Sequence, residues 1–93
     1  MYKFVKIKEI TKEMKDGKYF TYGKVKETDE EGFKLDGSDI KFLSIFKTNK
    51  NDFVRVFFTK DKEDFIVDIL QKVDYEKFGE VLEVYEKFKN LYI

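Results

Sequence analysis

Short β-rich runs separated by Gly, Asp and Asn residues fill most of the chain, and this alternation constrains the fold more than any other feature. We predict strands at residues 4–10, 19–28, 33–36, 39–46, 53–59 and 65–73. The first of these is a leading strand or an extended arm. Polar turns separate the runs at residues 14–17, 29–32, 36–37, 47–52 and 60–64. The chain therefore reads as a series of consecutive antiparallel strands.

Five consecutive strands after the arm favour a small closed barrel over an open meander, because closure removes exposed strand edges. Gly23 interrupts the first long strand, where a missing side chain suits a bulge or a sharp coil. We expect an all-β fold with one C-terminal helix, in which a five-stranded OB-fold barrel precedes an amphipathic α-helix. The alternative is an SH3-like barrel or an open sheet that carries one helix.

Alternation within the strands predicts which side chains share a face. The face shared within 39–46 is Ile40, Phe42, Ser44 and Phe46. Within 53–59, one face carries Val54, Val56 and Phe58, and the other carries Phe53, Arg55 and Phe57. The expected core face of the last strand is Phe65, Val67 and Ile69.

Residues 74–93 read as one amphipathic helix with an unusually wide apolar side. At about 100° per residue, its apolar side chains spread over an arc of roughly 200°, whereas a helix on a domain surface needs roughly 100°. The surplus predicts a contact beyond the helix's own barrel. The alternatives are a helix tucked deeply into its own fold and a helix that forms a homodimer. We expect one OB-fold domain at 1–93, with an arm and turn at 1–18, the barrel at 19–73 and an interaction helix at 74–92.

Composition argues against several classes of function. The chain has no histidine and no cysteine, so acid, base or nucleophile roles would rest on carboxylates, lysines and tyrosines alone. Asp61, Glu63 and Asp64 read as a solvated turn, because no Ca²⁺-loop pattern surrounds them. We expect no enzyme activity, no cofactor and no metal site.

Charge is balanced overall but uneven along the chain. The net charge is zero, whereas a dedicated nucleic-acid binder usually carries a basic excess. Residues 1–73 hold sixteen basic and fourteen acidic residues, and residues 74–93 hold three and five. The start lacks the apolar core of a signal peptide, and no run approaches the ~18 apolar residues of a membrane span. We expect a soluble, intracellular protein with no membrane partner.

The layout of residues 19–92 resembles the smallest OB-fold subunit of replication protein A and its counterpart in the three-subunit telomere-capping complex. The resemblance rests on Tyr22-Gly23-Lys24-Val25 in the first barrel strand, on the run from Gly32 to Gly37, on Val54-Arg55-Val56, and on the helix after almost no linker. In that family the small and middle subunits each end in a helix, and these join a helix of the large subunit in a bundle. The middle subunit usually carries a regulatory tail and a winged-helix domain, which this sequence lacks.

The resemblance implies a small structural subunit of a heterotrimeric single-stranded-DNA-binding complex that acts in DNA replication, repair or telomere maintenance. Its partners would be the middle and large subunits. The helix residues expected to meet them are Val81, Val84, Tyr85, Phe88, Leu91 and Tyr92. The expected location is the nucleus in a eukaryote and the cytoplasm in an archaeon. The alternatives are an autonomous single-stranded DNA or RNA-binding OB-fold protein and a homodimeric structural protein.

Basic and aromatic residues interleave on the predicted outward sides of three strands, and OB-folds bind single strands by combining such residues. The predicted weak nucleic-acid-binding set is Tyr22, Lys24, Lys26, Lys34, Lys41, Arg55 and Phe57. The competing interpretation is a solvated barrel face whose aromatic rings cover apolar neighbours. Asp36, Asp39 and Asp68 would repel phosphate near this face. We therefore expect weak or indirect contact with single-stranded DNA.

Overall fold

The structure is a computed structural model that describes residues 1–73. The amphipathic segment at 74–92 and its predicted partner-binding residues lie outside this range. The described strands and the short 3₁₀ turn η1 are β1 (Lys3–Phe4), η1 (Ile7–Glu9), β2 (Gly17–Thr28), β3 (Gly32–Leu35), β4 (Lys41–Leu43), β5 (Phe53–Asp61) and β6 (Asp64–Lys72). The predicted arm at 4–10 is thus one short strand followed by a single turn.

Five of the strands close into a barrel in the order β2, β3, β4, β6, β5 and back to β2. All of these pairings are antiparallel except the β4–β6 pairing, where Leu43 lies opposite Ile66 in parallel register. The sixth strand, β1, pairs in parallel with β2 and extends the sheet outside the barrel. The closed five-stranded barrel is consistent with an OB-fold, so the predicted fold class is confirmed at the level of the barrel.

Within the barrel, strand β2 pairs with two neighbours and bends between them. Its first part, Gly17 to Lys24, pairs with β5, and its last part pairs with β3. The register shift lies between Val25 and Glu27, just beyond Gly23 rather than at it. Gly23 matters for a different reason, because a Cβ there would lie 3.0 Å from a methyl carbon of Leu35. The glycine permits the close approach of β3 to the bend.

Aromatic rings fill the barrel interior. Phe42 on β4 has its ring centroid 5.6 Å from that of Phe33, 5.1 Å from Phe58 and 6.1 Å from Phe65. These four residues are at most 2 % exposed, and buried aromatic pairs at such spacings stabilise a core beyond their area alone. The predicted alternation on β5 is also found, since Val54, Val56 and Phe58 are fully buried and their neighbours are not.

Two predicted faces are correct only in part, because Phe65, Val67 and Phe42 are buried as expected but Ile69 and Phe46 are not. The β5–β6 register shifts between Phe57 and Phe58, which lie opposite Ile69 and Val67, so Asp68 is an extra residue. Beyond this bulge the alternation inverts, and Ile69 is 44 % exposed while Leu70 packs against the core. Strand β4 ends at Leu43, three residues before the predicted end, because the Ser44 hydroxyl accepts the Phe46 N–H at 2.9 Å and forms a turn. Phe46 is consequently 39 % exposed.

A buried lysine closes one end of the barrel. Lys60 is 3 % exposed, and its Nζ donates to Asp16 Oδ1 at 3.2 Å and to the Lys62 carbonyl. The same Asp16 oxygen accepts the Lys62 N–H at 2.9 Å. The Lys60 hydrogen bond first, and the Lys62 N–H second, lower the pKa of Asp16 below its usual value. This contact ties the turn before β2 to the end of β5.

Candidate functional site

The predicted nucleic-acid-binding residues divide between two outer faces of the barrel. We define the aromatic face as the outward side of β1, β2 and β5, built from Tyr2, Phe4, Phe20, Tyr22, Arg55 and Phe57. We define the lysine face as the surface around β3 and the ends of β2 and β4, built from Lys26, Lys34 and Lys41. Lys24 is exposed beyond Tyr22 on β2, opposite Phe53. The interleaved set therefore does not form one surface.

Phe20 lies at the centre of the aromatic face. Its ring centroid is 5.5 Å from that of Phe4, 6.0 Å from Tyr22 and 5.4 Å from Phe57. The ring of Tyr2 packs edge-on against Phe57 at 5.2 Å. These spacings fall in the range of favourable aromatic pairs. Five rings thus form a packed layer on the outside of the barrel, separate from the interior cluster.

Strand register brings these rings together. Phe4 lies opposite Phe20 in the parallel β1–β2 pairing, and Phe20 lies opposite Phe57 in the antiparallel β2–β5 pairing. Directly opposed side chains on one face of a sheet are close enough to interact. Sequence reasoning missed Tyr2, Phe4 and Phe20. The sequence does carry one signal for them, because residues two apart share a face of a strand, as Tyr2 and Phe4 do, and as Phe20 and Tyr22 do.

Tyr22 lies on the outer side of β2, as predicted, but it is covered. It is 5 % exposed and is absent from the interior cluster, and the Phe4 ring lies 6.1 Å from its own. A base stacks on a ring whose face is open to it. Tyr22 therefore offers little open ring surface for stacking, and the Phe4 ring of the arm is one of its neighbours.

Arg55 is held between two rings of the aromatic face. Its guanidinium carbon lies 5.4 Å from the Tyr22 ring centre and 5.9 Å from that of Phe57, within the range of cation–π attraction. Its Nε is buried and has no hydrogen-bond acceptor among residues 1–73. A buried donor without an acceptor is costly. The only arginine of the chain is thus positioned by aromatic contacts, with one buried N–H left to be satisfied.

A carboxylate borders the aromatic face on β6. Asp68 Oδ2 accepts hydrogen bonds from Tyr2 Oη at 3.0 Å and from Thr59 Oγ1 at 2.7 Å, and Lys18 Nζ lies 3.9 Å away. Partial burial of the phenol, followed by the hydrogen bond to Asp68 and its charge, raises the pKa of Tyr2. The network anchors the arm to β5 and β6 and places a negative charge beside the rings.

Every lysine of the lysine face has a carboxylate within ion-pair distance. The pairs are Lys26–Asp39 at 3.2 Å, Lys34–Glu27 at 3.8 Å, Lys41–Asp29 at 2.6 Å and Lys41–Glu31 at 4.0 Å. The Lys41 hydrogen bond is the main cause of the lowered pKa of Asp29, and the same bond raises the pKa of Lys41. The positive charge predicted for this surface is largely matched by acidic neighbours.

The lysine face surrounds an open cleft of about 460 Å³. Strands β3 and β4 correspond to the second and third strands of an OB barrel, the strands that bind oligonucleotides in many OB-folds. Lys50 also lines the cleft and has no ion-pair partner among the described residues. The one aromatic residue that lines it within residues 1–73 is Phe33, which is 1 % exposed. The cleft therefore offers cations without an accessible ring.

A second cleft of about 320 Å³ lies between the arm and β2, at the border of the aromatic face. Phe4, Ile7 and Tyr22 supply its apolar walls. Lys6, Lys8 and Asp36 supply its charged groups. Mixed apolar and cationic lining suits a protein side chain as well as a base.

The described part of the chain shows neither a metal cluster nor a membrane-crossing helix. Within residues 1–73, no three His, Cys, Asp or Glu side chains are grouped to hold a metal ion. Across the same residues, no helix combines the length and apolar character that crossing a membrane requires. Comparison with protein-family models, curated proteins and solved structures gives no significant match. Function must therefore be inferred from the barrel and its two faces.

Proposed function

We propose that the protein is a small assembly subunit, an OB-fold barrel that joins other proteins in a single-stranded-DNA-binding complex and itself contacts the strand weakly. Its main work is to hold partners together through residues 74–92. The barrel provides the rigid base from which that segment leaves. Replication, repair or telomere maintenance is the setting that the resemblance to the small subunit of replication protein A implies.

One observation carries this proposal: the lysines are paired with carboxylates on one face, and most of the exposed-side rings are packed together on another, where Arg55 is the basic member. Single-strand binding by OB-folds needs both, because bases stack on aromatic rings while basic residues follow the phosphates. The lysine face has Lys26, Lys34 and Lys41 paired with carboxylates, and the rings of the aromatic face are packed against one another. Among residues 1–73 the lysine face has no accessible ring, and on the aromatic face Arg55 already lies between Tyr22 and Phe57, which favours weak binding by the barrel alone.

The predicted helix supplies the reason to propose assembly. Its apolar arc is wider than one barrel contact needs, at roughly 200° against roughly 100°. The surplus edge carries Val84, Phe88 and Leu91, and helix bundles bury such edges between subunits. A subunit that binds DNA weakly gains effective affinity when tethered to stronger subunits.

Copurification tests the assembly role. An affinity-tagged copy expressed in its native host should bring down two further proteins of a single-stranded-DNA-binding complex, identified by mass spectrometry. The matched control is a tagged Val84→Glu/Phe88→Glu variant, which should recover neither protein while its barrel stays folded. Equal recovery by both copies would contradict assembly through this edge.

Fluorescence anisotropy with an unstructured oligonucleotide tests the weak contact. The isolated protein should bind only weakly at physiological salt, and nanomolar binding would favour the autonomous binder instead. Asp29→Asn with Asp39→Asn removes the partners of Lys41 and Lys26, so binding should increase severalfold and its salt dependence should steepen. The control is Asp61→Asn, which removes one negative charge from an exposed residue at the end of β5. It shows how much binding changes when one carboxylate is removed away from the lysine face.

A further inference from the structure

The described chain leaves the barrel beside the aromatic face. Lys72 at the end of β6 lies opposite Val54, and the Val73 N–H donates to the Phe53 carbonyl at 2.9 Å. Phe53 begins the outward row of β5 that continues through Arg55 to Phe57. The described residues therefore end at one edge of the aromatic face.

From this placement we propose that residues 74–93 fold back across the aromatic face of the same chain, with a carboxylate of the segment facing Arg55. The occupant is this chain's own C-terminal segment rather than a second copy or a foreign protein. The edge that docks is the one formed by Tyr75, Phe78 and Leu82, which follows directly from the last strand. The opposite edge, with Val84 and Phe88, then points away from the barrel.

Length permits this docking. As the helix predicted from the sequence, residues 74–93 would span about 30 Å at 1.5 Å per residue. The outward row from Phe53 to Phe57 spans about 13 Å at 3.3 Å per residue. The segment is therefore long enough to cross the whole aromatic face and to extend beyond it.

Charge and hydrogen bonding favour the same placement. Residues 1–73 carry two more basic than acidic residues, and residues 74–93 carry two more acidic than basic. The buried Nε of Arg55 lacks an acceptor among the described residues. The first seven residues of the C-terminal segment include three carboxylates, Asp74, Glu76 and Glu80. A carboxylate is the strongest acceptor for a guanidinium. Docking would satisfy a donor that the described barrel leaves unsatisfied.

This inference concerns one chain in isolation and does not depend on the proposed assembly role. A spin label tests it, since the protein has no cysteine and one can be introduced freely. In full-length Glu83→Cys labelled with a nitroxide, the amide signals of Phe20, Arg55 and Phe57 should be lost. Those of Phe33 and Lys41 on the opposite side should persist. Equal broadening of both sets, or broadening of neither, would overturn the proposal.

Mixing distinguishes folding back from exchange between copies. Isotope-labelled chains without the nitroxide are combined with unlabelled chains that carry it, at matched concentration. The aromatic-face signals should be retained in this mixture, because the docking is within one chain. Their loss would show that the segment of a second copy occupies the face, which overturns the proposal.

Paired substitutions in the nitroxide-labelled chain test the docking edge. Tyr75→Ser/Phe78→Ser should restore the aromatic-face signals, whereas the matched Val84→Ser/Phe88→Ser variant should leave them broadened. Persistent broadening in the first variant would overturn the assignment of this edge. The barrel amides in the same spectra report any unfolding, and the parent chain's map decides the docking even if a variant does not fold.

Discussion

The aromatic face and the lysine face are both built from cross-strand neighbours of one barrel, yet different forces hold them. On the aromatic face, Phe20 removes apolar surface from water by contacting three other rings. On the lysine face, Lys34 and Glu27 are 3.8 Å apart and remain partly exposed, and such pairs contribute little net stability. The first face is therefore part of the packing of the molecule, and the second is a surface whose charges offset one another.

This difference changes how interleaved aromatic and basic residues should be interpreted. In the linear sequence, Tyr22, Lys24 and Lys26 follow one another on the same side of a predicted strand. The bend of β2 then carries Lys26 to β3 and leaves Tyr22 beside β5. A pattern that is continuous in sequence is thus divided between two surfaces by one change of neighbour.

The largest loss of stability should come from a substitution that separates the backbones of β3 and β4 on the lysine face. In Gly32→Ala, the new Cβ would lie 1.8 Å from the Phe42 carbonyl oxygen, so β3 and β4 must separate. We expect a loss of more than about 4 kcal/mol in the free energy of unfolding, measured by urea denaturation. Gly23→Ala is the control, because its nearest contact is a side-chain methyl carbon at 3.0 Å. Equal losses in the two variants would contradict the tight β3–β4 approach.

Phe20→Ala should separate the two faces most clearly. It removes the central ring of the aromatic face, and we expect a loss of about 2–4 kcal/mol in the free energy of unfolding. Its counterpart, Lys34→Ala, removes one cation of the lysine face and should change stability by less than about 1 kcal/mol. Both values come from urea denaturation curves. A comparable loss in both variants would show that the lysine face is also a packed element.

Alkaline pH should reduce the stability contributed by the Tyr2–Asp68 contact beside the aromatic face, by less than the loss expected for Phe20→Ala. The folded-state pKa of Tyr2 is raised above its usual 10.0 by partial burial and by Asp68, so the fold favours the protonated phenol. Its contribution is fully present below the unfolded pKa and is lost as pH rises through the folded pKa. The stability difference between the parent and Tyr2→Phe should therefore shift against the parent above pH 10. A difference that is constant across this range would contradict the Tyr2–Asp68 contact.

Acid should produce the smallest change in stability, through the Asp29–Lys41 pair of the lysine face. The folded-state pKa of Asp29 is lowered chiefly by the hydrogen bond from Lys41. Its contribution is present above the unfolded pKa and is lost as pH falls through the lower folded pKa. The melting temperature of the parent should fall slightly more steeply than that of Asp29→Asn as the pH decreases below the usual aspartate pKa. Parallel pH profiles would indicate that the pair contributes nothing measurable.

Local patterns predicted the barrel because they depend on one strand at a time. Alternation along 53–59 correctly separates Val54, Val56 and Phe58 from their neighbours. The error at Ile69 has a different origin, since a bulge is a property of two paired strands. No pattern within 65–73 marks Asp68 as the extra residue.

The candidate site was harder to predict because its contacts join distant parts of the chain. Lys26 meets Asp39, thirteen residues away, only after β2 and β3 have formed their hairpin. The Phe4 ring lies beside Tyr22 because the arm pairs with β2 in parallel, and a parallel pairing leaves no turn signal in the sequence. The residue types of the site could thus be predicted from the sequence. The pairing of its lysines with carboxylates and the burial of Tyr22 depend on the topology of the barrel.

The parallel seam between β4 and β6 bears on how the barrel opens. Within the described barrel, Leu43 and Ile66 are the registered pair at this seam, while β2 and β5 pair continuously from Gly17 to Lys24. Backbone amides beside so short a pairing exchange with solvent through local openings that cost less free energy than global unfolding. Each opening frees two strand edges, and free edges are templates for pairing with another chain. Slow strand exchange at high concentration would therefore begin at this seam and leave the β2–β5 ladder intact.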